Sequence, residues 1–254
     1  MYIRIVVVLL LLMGLLNCQT NKNKNKILRI ATAANVQFAM NKLAAAFENQ
    51  SSVQTEIVLG SSGKLTAQIQ QGAPYHVFVS ANMKYPNTLH DLKLTTSKPT
   101  VYALGKLVLW STQNDITPNL NSLTDNRIEH IALANPKTAP YGIAATEVLN
   151  NLGIAQQVNA KLVFGESIAQ TNQFILTKAA DIGFTAKSVV VSPKLTEKGN
   201  YYTIPDSLYI PIEQGIVGLK HQDVEILKYA NQFRAFMLSS EAQKILKEYG
   251  YAME

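Results

Sequence analysis

Residues 56–71 read EIVLGSSGKLTAQIQQ, and this stretch decides the fold. Residues 56–59 form a short, mainly apolar run that is typical of a strand, and residues 64–71 place their apolar side chains at helical spacing. Between them, Gly60-Ser61-Ser62-Gly63 is a small, polar turn. The stretch therefore predicts one strand–turn–helix unit.

The same alternation of strand and helix continues on both sides of this unit. The sequence predicts further strands at residues 27–33, 77–80, 107–110, 131–134, 161–164, 181–185 and 209–217. It predicts further helices at residues 38–47, 142–152, 168–178 and, as an amphipathic pair that packs on the first lobe, 223–249. Strands separated by helices imply right-handed crossovers between parallel strands. We therefore predict an α/β fold with mixed, mostly parallel sheets flanked by helices.

The length of the chain favours two lobes. More than two hundred residues follow the N-terminal region, which exceeds a typical single domain, and 47% of the chain is hydrophobic, enough for a core in each lobe. We predict that lobe I comprises residues 27–106 and 209–254 and that lobe II comprises residues 107–208. The polar stretch at residues 111–121 is the predicted crossing segment. No convincing internal repeat is visible.

The N-terminal residues predict export from the cytoplasm. Arg4 precedes an apolar run at residues 5–16, which is short for a bilayer span, and Asn17 and Cys18 follow. We predict a signal peptide at residues 1–18, with a single transmembrane anchor as the alternative. Residues 19–26 contain NKNKNK, which predicts a polar tether. The predicted location is the periplasm or cell envelope.

Cys18 is the only cysteine, so the chain forms no internal disulfide and no cysteine metal cluster. It directly follows Leu15-Leu16-Asn17, which resembles the lipobox of bacterial lipoproteins. The resemblance implies that Cys18 is acylated and anchors the mature protein to the membrane. The alternative is that Cys18 is discarded with a conventional signal peptide.

The positive charge of the chain lies mainly before the predicted lobes. The chain has 23 Lys and Arg against 17 Asp and Glu, a net charge of +6. Removing Arg4, Lys22, Lys24 and Lys26 leaves 19 basic residues and a net charge of +2. Nucleic-acid binding would need basic residues clustered on the folded part, so we predict no nucleic-acid partner. A weakly positive body is compatible with an anionic ligand.

Four turns at the ends of predicted strands suit an anion. Ligands of open α/β sheets bind beyond the carboxyl ends of the strands, and helix N-termini offer N–H groups and a partial positive charge. The turns are Ala33-Ala34-Asn35, Ser61-Ser62-Gly63, Thr138-Ala139-Pro140-Tyr141-Gly142 and Glu166-Ser167-Ile168. Ser61 and Ser62 add hydroxyl donors. The alternative is that the serines are ordinary helix caps and that Pro140 merely starts a helix.

Several segments also follow the order and spacing of a known family. They are Ala31-Thr32-Ala33-Ala34-Asn35, Gly60-Ser61-Ser62-Gly63-Lys64-Leu65, Gly72-Ala73-Pro74, Val77-Phe78-Val79-Ser80-Ala81, Asn135-Pro136 and Pro140-Tyr141-Gly142. They resemble the molybdate-binding proteins of ABC transporters, which are type II periplasmic binding proteins. The resemblance implies a tetrahedral oxyanion, molybdate or tungstate, held by neutral hydrogen bonds. It also implies a membrane permease as partner, a monomer and no cofactor.

Carried over by motif, the resemblance assigns six ligand-binding residues. In the first lobe, it assigns donors to Asn35, with Ala34 beside it, and to Ser62, with Ser61 beside it. In the second lobe, it assigns backbone N–H donors to Tyr141 and Ile168. Some relatives also place a tyrosine hydroxyl on the anion at the position that reads Ala186 here. We expect Asn35 or a water molecule to replace that donor.

The sequence does not favour catalysis. His76, His90, His130 and His221 are scattered without metal-ligand spacing, and neither a Gly-x-Ser-x-Gly elbow nor a P-loop is present. Porphobilinogen deaminase shows that this scaffold can be an enzyme, but its cofactor-bearing cysteine has no counterpart after Cys18. We predict a binding protein and no enzyme. A protein for sulfate or phosphate, or a sensor or enzyme on the same scaffold, remains the alternative.

Overall fold

The computed structural model describes residues 26–51 and 53–253. The predicted signal peptide with Cys18 and residues 19–25 of the predicted tether lie outside the described residues. Within the described part, none of the helices is both long enough and apolar enough to span a bilayer.

One sheet combines the beginning and the end of the described chain. Its order is β2-β1-β3-β10-β4, with β1 (Ile27–Ala33), β2 (Gln54–Gly60), β3 (Val77–Ser80), β4 (Thr100–Gly105) and β10 (Ile212–Gly218). β1 pairs in parallel with β2 and β3, whereas β10 pairs antiparallel with β3 and β4. Four strands therefore run in one direction and only β10 is reversed.

The second sheet has the same plan. Its order is β7-β6-β8-β5-β9, with β5 (Leu107–Ser111), β6 (Ile131–Ala134), β7 (Leu162–Gly165), β8 (Ile182–Ala186) and β9 (Asn200–Thr203). β6 pairs in parallel with β7 and β8, and β5 is the reversed strand between β8 and β9. The predicted fold class is confirmed: both sheets are mixed, with a single reversed strand at the fourth position of each.

Helices flank both sheets. They are α1 (Gln37–Ser51), α2 (Ser62–Gln70), α3 (Lys84–Asp91), α4 (Pro140–Asn151), α5 (Ala155–Val158), α6 (Ile168–Leu176), α7 (Lys187–Val190), α8 (Val224–Met237) and α9 (Ser240–Glu248). Short 3-10 turns lie at Ala34–Val36, Leu120–Thr124, Asn159–Lys161 and Asp206–Leu208. Most helices follow a strand of a parallel pair, as the crossover rule requires.

The C-terminal helices pack on the first sheet. Phe233 and Leu246 share a buried core with Leu28 and Val79 of that sheet. The ring of Phe47 meets that of Phe233 edge to face at a centroid distance of 5.1 Å. Because each sheet carries its own buried core, we propose the division predicted above, with lobe I at residues 27–106 and 209–254 and lobe II at residues 107–208.

The predicted crossing segment at residues 111–121 is wrong. Ile116 of this stretch is buried in the core of the second sheet, and Thr112 Oγ1 donates to Ile175 O at 2.8 Å. The chain enters the second sheet through Lys106 alone, which separates β4 from β5, and it returns between β9 and β10. By residue 111 the crossing has already taken place, so the polar stretch only covers the second lobe.

Candidate functional site

The four predicted turns meet at one small cavity between the lobes. They follow β1, β2, β6 and β7, so each lobe contributes two topologically equivalent turns. The cavity measures about 10 Å³, counted as the volume open to the centre of a water molecule. Its lining contains Ala33, Ala34, Asn35, Gly60, Ser61, Ser62, Ala81, Ala139, Pro140, Tyr141 and Ile168. All six residues predicted to bind the ligand are among them.

The hydroxyl groups of Ser61 and Ser62 are arranged as donors. Ser62 Oγ accepts a hydrogen bond from Ala81 N at 2.9 Å, and Ser61 Oγ accepts one from Lys64 N at 3.4 Å. Ser61 therefore is the helix cap of α2, as the alternative interpretation had it. Each oxygen accepts from the backbone through a lone pair, so each hydroxyl hydrogen remains available to a guest. Capping the helix and donating to a ligand are thus compatible.

The second lobe presents the N-termini of α4 and α6. Neither helix has a side-chain cap from the described residues, so their first N–H groups are left for another acceptor. Pro140 occupies the first position of α4 and has no N–H, which makes Tyr141 the first residue of α4 able to donate. Ile168 is the first residue of α6. The N–H groups of Tyr141 and Ile168 therefore point out of the helix ends that border the cavity.

A glycine permits the close approach of α4 to its strand. A Cβ atom at Gly142 would lie 2.0 Å from Ala134 O, the carbonyl at the end of β6. No side chain fits at that distance, so the start of α4 can rest on the strand end only because residue 142 lacks one.

The side chain of Asn35 does not supply the predicted donor. Its Nδ2 donates to Gln214 Oε1 at 2.7 Å and to Tyr251 Oη at 3.0 Å, which uses both amide hydrogens. The orientation is set by Gln214, because its Nε2 donates to the carbonyl oxygens of Ala81 and Ile212, leaving Oε1 as the acceptor. The structure therefore does not support the expectation that the Asn35 amide replaces the missing tyrosine donor.

Two further features on the lobe I side and at residue 186 concern the tyrosine donor that is missing here. Asn35 Oδ1 is buried without a hydrogen-bond partner among the described residues. Ala186, where some relatives place a tyrosine, is fully buried at the end of β8. Of the groups of Asn35, its backbone N–H at the 3-10 turn remains as a donor for a guest.

The lobes touch at the rim of the cavity. Gly63 N in lobe I donates to Thr138 O in lobe II at 2.9 Å. Lys64 forms an ion pair with Glu166 across the same gap. Both side chains of this pair are about half exposed, so the pair contributes at most about 1 kcal/mol to closure. The structure is therefore a closed form of the two lobes.

The cavity is lined by small and neutral residues and carries no ionic side chain among those described. Among the described residues that line it, there is no Lys, Arg, His, Asp or Glu. Burial raises the pKa of the phenols of Tyr141 and Tyr251 well above their ordinary value, so both remain protonated. Any negative guest would be held by neutral hydroxyl and backbone dipoles, as at other helix N-termini.

The histidines lie away from this site, and one pair is less scattered than predicted. The rings of His76 and His221 are 4.7 Å apart, centroid to centroid. Their Nδ1 atoms accept hydrogen bonds from the backbone N–H groups of Arg29 and Asp223, respectively. Within the described part of the chain, no group of three or more His, Cys, Asp or Glu residues could hold a metal ion.

Sequence reasoning missed the polar residues behind the cavity. Gln214 is fully buried in β10, and Ser188 and Tyr251 are buried beside Asn35. A glutamine within the apolar strand predicted at residues 209–217 was the available signal for Gln214. No local pattern distinguishes Ser188 or Tyr251, because their partners lie far away along the chain.

The chain is similar to known solute-binding proteins along nearly all of its length. The model of the family described as bacterial extracellular solute-binding protein matches residues 28–252. The molybdate-binding protein ModA of Azotobacter vinelandii is 36% identical over 244 residues, covering 95% of this chain and 94% of that protein. ModA of Rhodobacter capsulatus is 36% identical over 225 residues, covering 88% of this chain and 87% of that protein.

A solved structure has the same two-lobed fold. The periplasmic molybdate-binding protein of Azotobacter vinelandii matches with a TM-score of 0.84 and 35% identity, covering 89% of this chain and 99% of that one. The match therefore includes both sheets and the cavity between them. With its fold, its interlobe cavity and these similarities taken together, the chain belongs to the family of bacterial extracellular solute-binding proteins.

Proposed function

We propose that this protein captures a tetrahedral oxyanion, molybdate or tungstate, outside the cytoplasm and delivers it to the membrane permease of an ABC transporter. The observation that carries the proposal is the meeting of four strand-end turns, two from each lobe, at one cavity lined by neutral donors. Two relatives that are 36% identical are named molybdate-binding proteins, which supports this cargo. The proposed role is binding, without a reaction and without a cofactor.

The proposed ligand set follows from the donors at the cavity. The hydroxyl groups of Ser61 and Ser62 and the backbone at Ala34 and Asn35 bind the anion from lobe I. The N–H groups of Tyr141 and Ile168 bind it from lobe II. Several preorganised dipoles then replace the hydration shell of the anion at once, and an open form would lack half of them. Binding therefore drives hinge closure.

The size and polarity of the cavity support a small, fully deprotonated guest. A volume of about 10 Å³, about the space of a single water molecule, supports a small guest and not a sugar or a peptide. A site made of donors pairs with a dianion such as molybdate, whereas hydrogen phosphate would need an acceptor for its proton. Molybdate and tungstate share these properties, so the proposal includes both.

One observation favours hydrogen phosphate as a second candidate. Asn35 lines the cavity, and its Oδ1 is a buried acceptor without a partner among the described residues. This atom would accept the proton of a protonated oxyanion. Sulfate, which is deprotonated at neutral pH, would not use it.

Calorimetry on the mature chain tests the cargo. Molybdate, tungstate, sulfate, phosphate and chromate are titrated separately, with thermal unfolding as a second readout because a ligand of the native state raises the midpoint. We expect saturable binding of molybdate and tungstate at concentrations at which sulfate and phosphate do not bind. Binding of phosphate or sulfate alone would overturn the choice of cargo.

We also propose that the protein acts as a monomer held to the membrane by a lipid on Cys18. In cells, the full-length chain is expected in the membrane fraction, and Cys18→Ser is expected to abolish that attachment. A wild-type chain that is entirely released into the soluble envelope fraction, with residues 1–18 removed, would refute the lipid anchor while leaving anion binding intact.

A further inference from the structure

A buried network of side-chain hydrogen bonds lies behind the cavity and joins the two lobes. Its members are Asn35, Gln214 and Tyr251 of lobe I and Ser188 of lobe II, each at most 5% exposed. The network uses only protein atoms, so each of its donors has an acceptor without an anion. Such buried networks specify one arrangement when every donor has an acceptor.

The direction of each hydrogen bond in lobe I is determined by the backbone. Gln214 Nε2 donates to Ala81 O and Ile212 O, both at 3.1 Å, so Gln214 Oε1 must accept from Asn35 Nδ2. The second hydrogen of Asn35 Nδ2 goes to Tyr251 Oη. Because the phenol oxygen accepts this bond, its own hydrogen is free to be donated elsewhere.

Two further bonds cross between the lobes. Ser188 Oγ donates to Asn35 O at 2.6 Å, and Tyr251 Oη shares its hydrogen between Ser188 Oγ at 3.2 Å and Asn35 O of its own lobe at 3.3 Å. Ser188 lies in α7 of lobe II, the short helix that directly follows β8. Opening the lobes would break both interlobe bonds, which leaves Ser188 without these partners and leaves Tyr251 with Asn35 O of its own lobe as acceptor.

The C-terminal segment is built to hold Tyr251 at this place. Leu104 N donates to Ala252 O at 2.7 Å and Ala252 N donates to Leu104 O at 2.9 Å, which ties the segment to β4. Gly250 turns the chain with a φ of +76°. A Cβ at Gly250 would lie 3.1 Å from Lys187 Cγ of lobe II, so this turn also touches the opposite lobe.

The network also reaches the cavity. Ala81 accepts from Gln214 through its carbonyl oxygen and donates through its N–H to Ser62 Oγ, the hydroxyl proposed to bind the anion. A single residue, Ala81, thus joins the anion side of lobe I to the contact between the lobes.

We propose that Ser188 and Tyr251 form a latch of the closed state and are positioning residues that set the affinity for every anion by one common factor. This inference rests on the proposed function, namely that an anion binds between closed lobes. The latch stabilises closure before the anion arrives, and the anion then binds a conformation that is already partly populated.

A latch and a ligand contact have different signatures. When a ligand binds only the closed form, its apparent dissociation constant equals the intrinsic constant divided by the closed fraction. Weakening the latch lowers that fraction and raises the dissociation constants of all anions by the same factor. A residue that touches the anion would change the ratio between anions of different size.

The first test compares affinities. Ser188→Ala is expected to weaken binding of molybdate and of chromate, a smaller anion of the same shape, by the same factor, about ten- to thirtyfold for two lost interlobe hydrogen bonds. The control is Ser192→Ala, which removes a buried hydroxyl that donates to Val189 O within lobe II and should leave both affinities unchanged. Tyr251→Phe removes one of these two interlobe bonds and should weaken both affinities by a common but smaller factor. Its control, Tyr102→Phe, removes a buried hydroxyl without a partner among the described residues.

The second test measures closure without any anion. A zero-length carbodiimide joins lysine and carboxylate groups in contact, so the Lys64–Glu166 pair reports closed lobes and the Lys42–Glu248 pair within lobe I is the internal reference. Mass spectrometry of the cross-linked peptides is expected to show a lower interlobe-to-reference ratio in Ser188→Ala and an unchanged ratio in Ser192→Ala.

The outcomes separate the latch from the proposed function. A wild-type protein that binds no oxyanion would refute the proposed function, and the cross-link ratio would still test the latch. An unchanged ratio in both Ser188→Ala and Tyr251→Phe would overturn the latch. So would a loss of affinity confined to one anion, because that result would make the residue a ligand contact.

Discussion

A methyl group at Gly63 is expected to keep the lobes apart. In the closed structure, a Cβ at this position would lie 2.9 Å from Thr138 Cα and 3.0 Å from Thr138 O, both backbone atoms of the opposite lobe. It would also lie 2.9 Å from Tyr85 Oη, the mobile end of a side chain in its own lobe. Tyr85 can move, but Thr138 lies just before α4, so the lobes themselves must separate.

The expected loss of affinity for Gly63→Ala follows from two terms. Overpacking at a tight contact costs about 1–3 kcal/mol, and separation breaks the bond from Gly63 N to Thr138 O, which contributes about 1 kcal/mol. A total of about 2–4 kcal/mol corresponds to roughly thirty- to a thousandfold weaker binding. In the open form the same change replaces glycine by alanine within α2, which stabilises a helix by up to about 1 kcal/mol.

Gly63→Ala should therefore lose affinity without losing stability. Calorimetry with molybdate measures the affinity, and thermal unfolding without anion measures the stability. Ala67→Gly is the matched control, because Ala67 is exposed in the same helix. It is expected to lower the unfolding midpoint slightly and leave the affinity unchanged. Wild-type affinity in Gly63→Ala would refute the reasoning that the close approach of Gly63 to Thr138 is required for binding.

Three further predictions concern single residues. Ser62→Ala is expected to weaken molybdate binding by about 1–3 kcal/mol in calorimetry, because a buried hydroxyl donor is lost, and an unchanged dissociation constant would remove Ser62 from the ligand set. Gly142→Ala places a Cβ 2.0 Å from Ala134 O and should lower the free energy of unfolding by about 3 kcal/mol or more, measured in urea. Burial lowers the pKa of His76 from 6.5 to about 4, so between these values the unfolded chain binds a proton that the folded protein does not. The free energy of unfolding should therefore decrease as the pH falls from about 6.5 to about 4, and His76→Asn should flatten this part of the pH profile.

The sequence predicted the local units well because their signals are local. β1, β3 and β6 lie at the residues predicted from their apolar runs, since a short buried strand leaves little doubt about its ends. The helices were less sharply bounded. α1 continues to Ser51, beyond the predicted end at residue 47, because its last turn is polar and partly exposed and carries no apolar signal.

Local sequence patterns did not predict where the chain connects the lobes. A polar stretch at residues 111–121 resembles a linker in composition, yet it covers lobe II, whereas the first of the two real connections is the single residue Lys106. A linker this short leaves no compositional trace. The equal strand order of the two sheets is hidden for a related reason, because the matched strands share their topology but few residues.

The sequence by itself determined the α/β units and the places where small and polar residues end their strands, because spacing and turn chemistry act between near neighbours. Only the tertiary structure decided which donors remain available. Asn35 is committed by Gln214, a residue 179 positions away, and Gly63 N is spent on Thr138 of the other lobe. A hydrogen can be donated fully to only one acceptor, so its use depends on whichever partner the folded chain brings nearest.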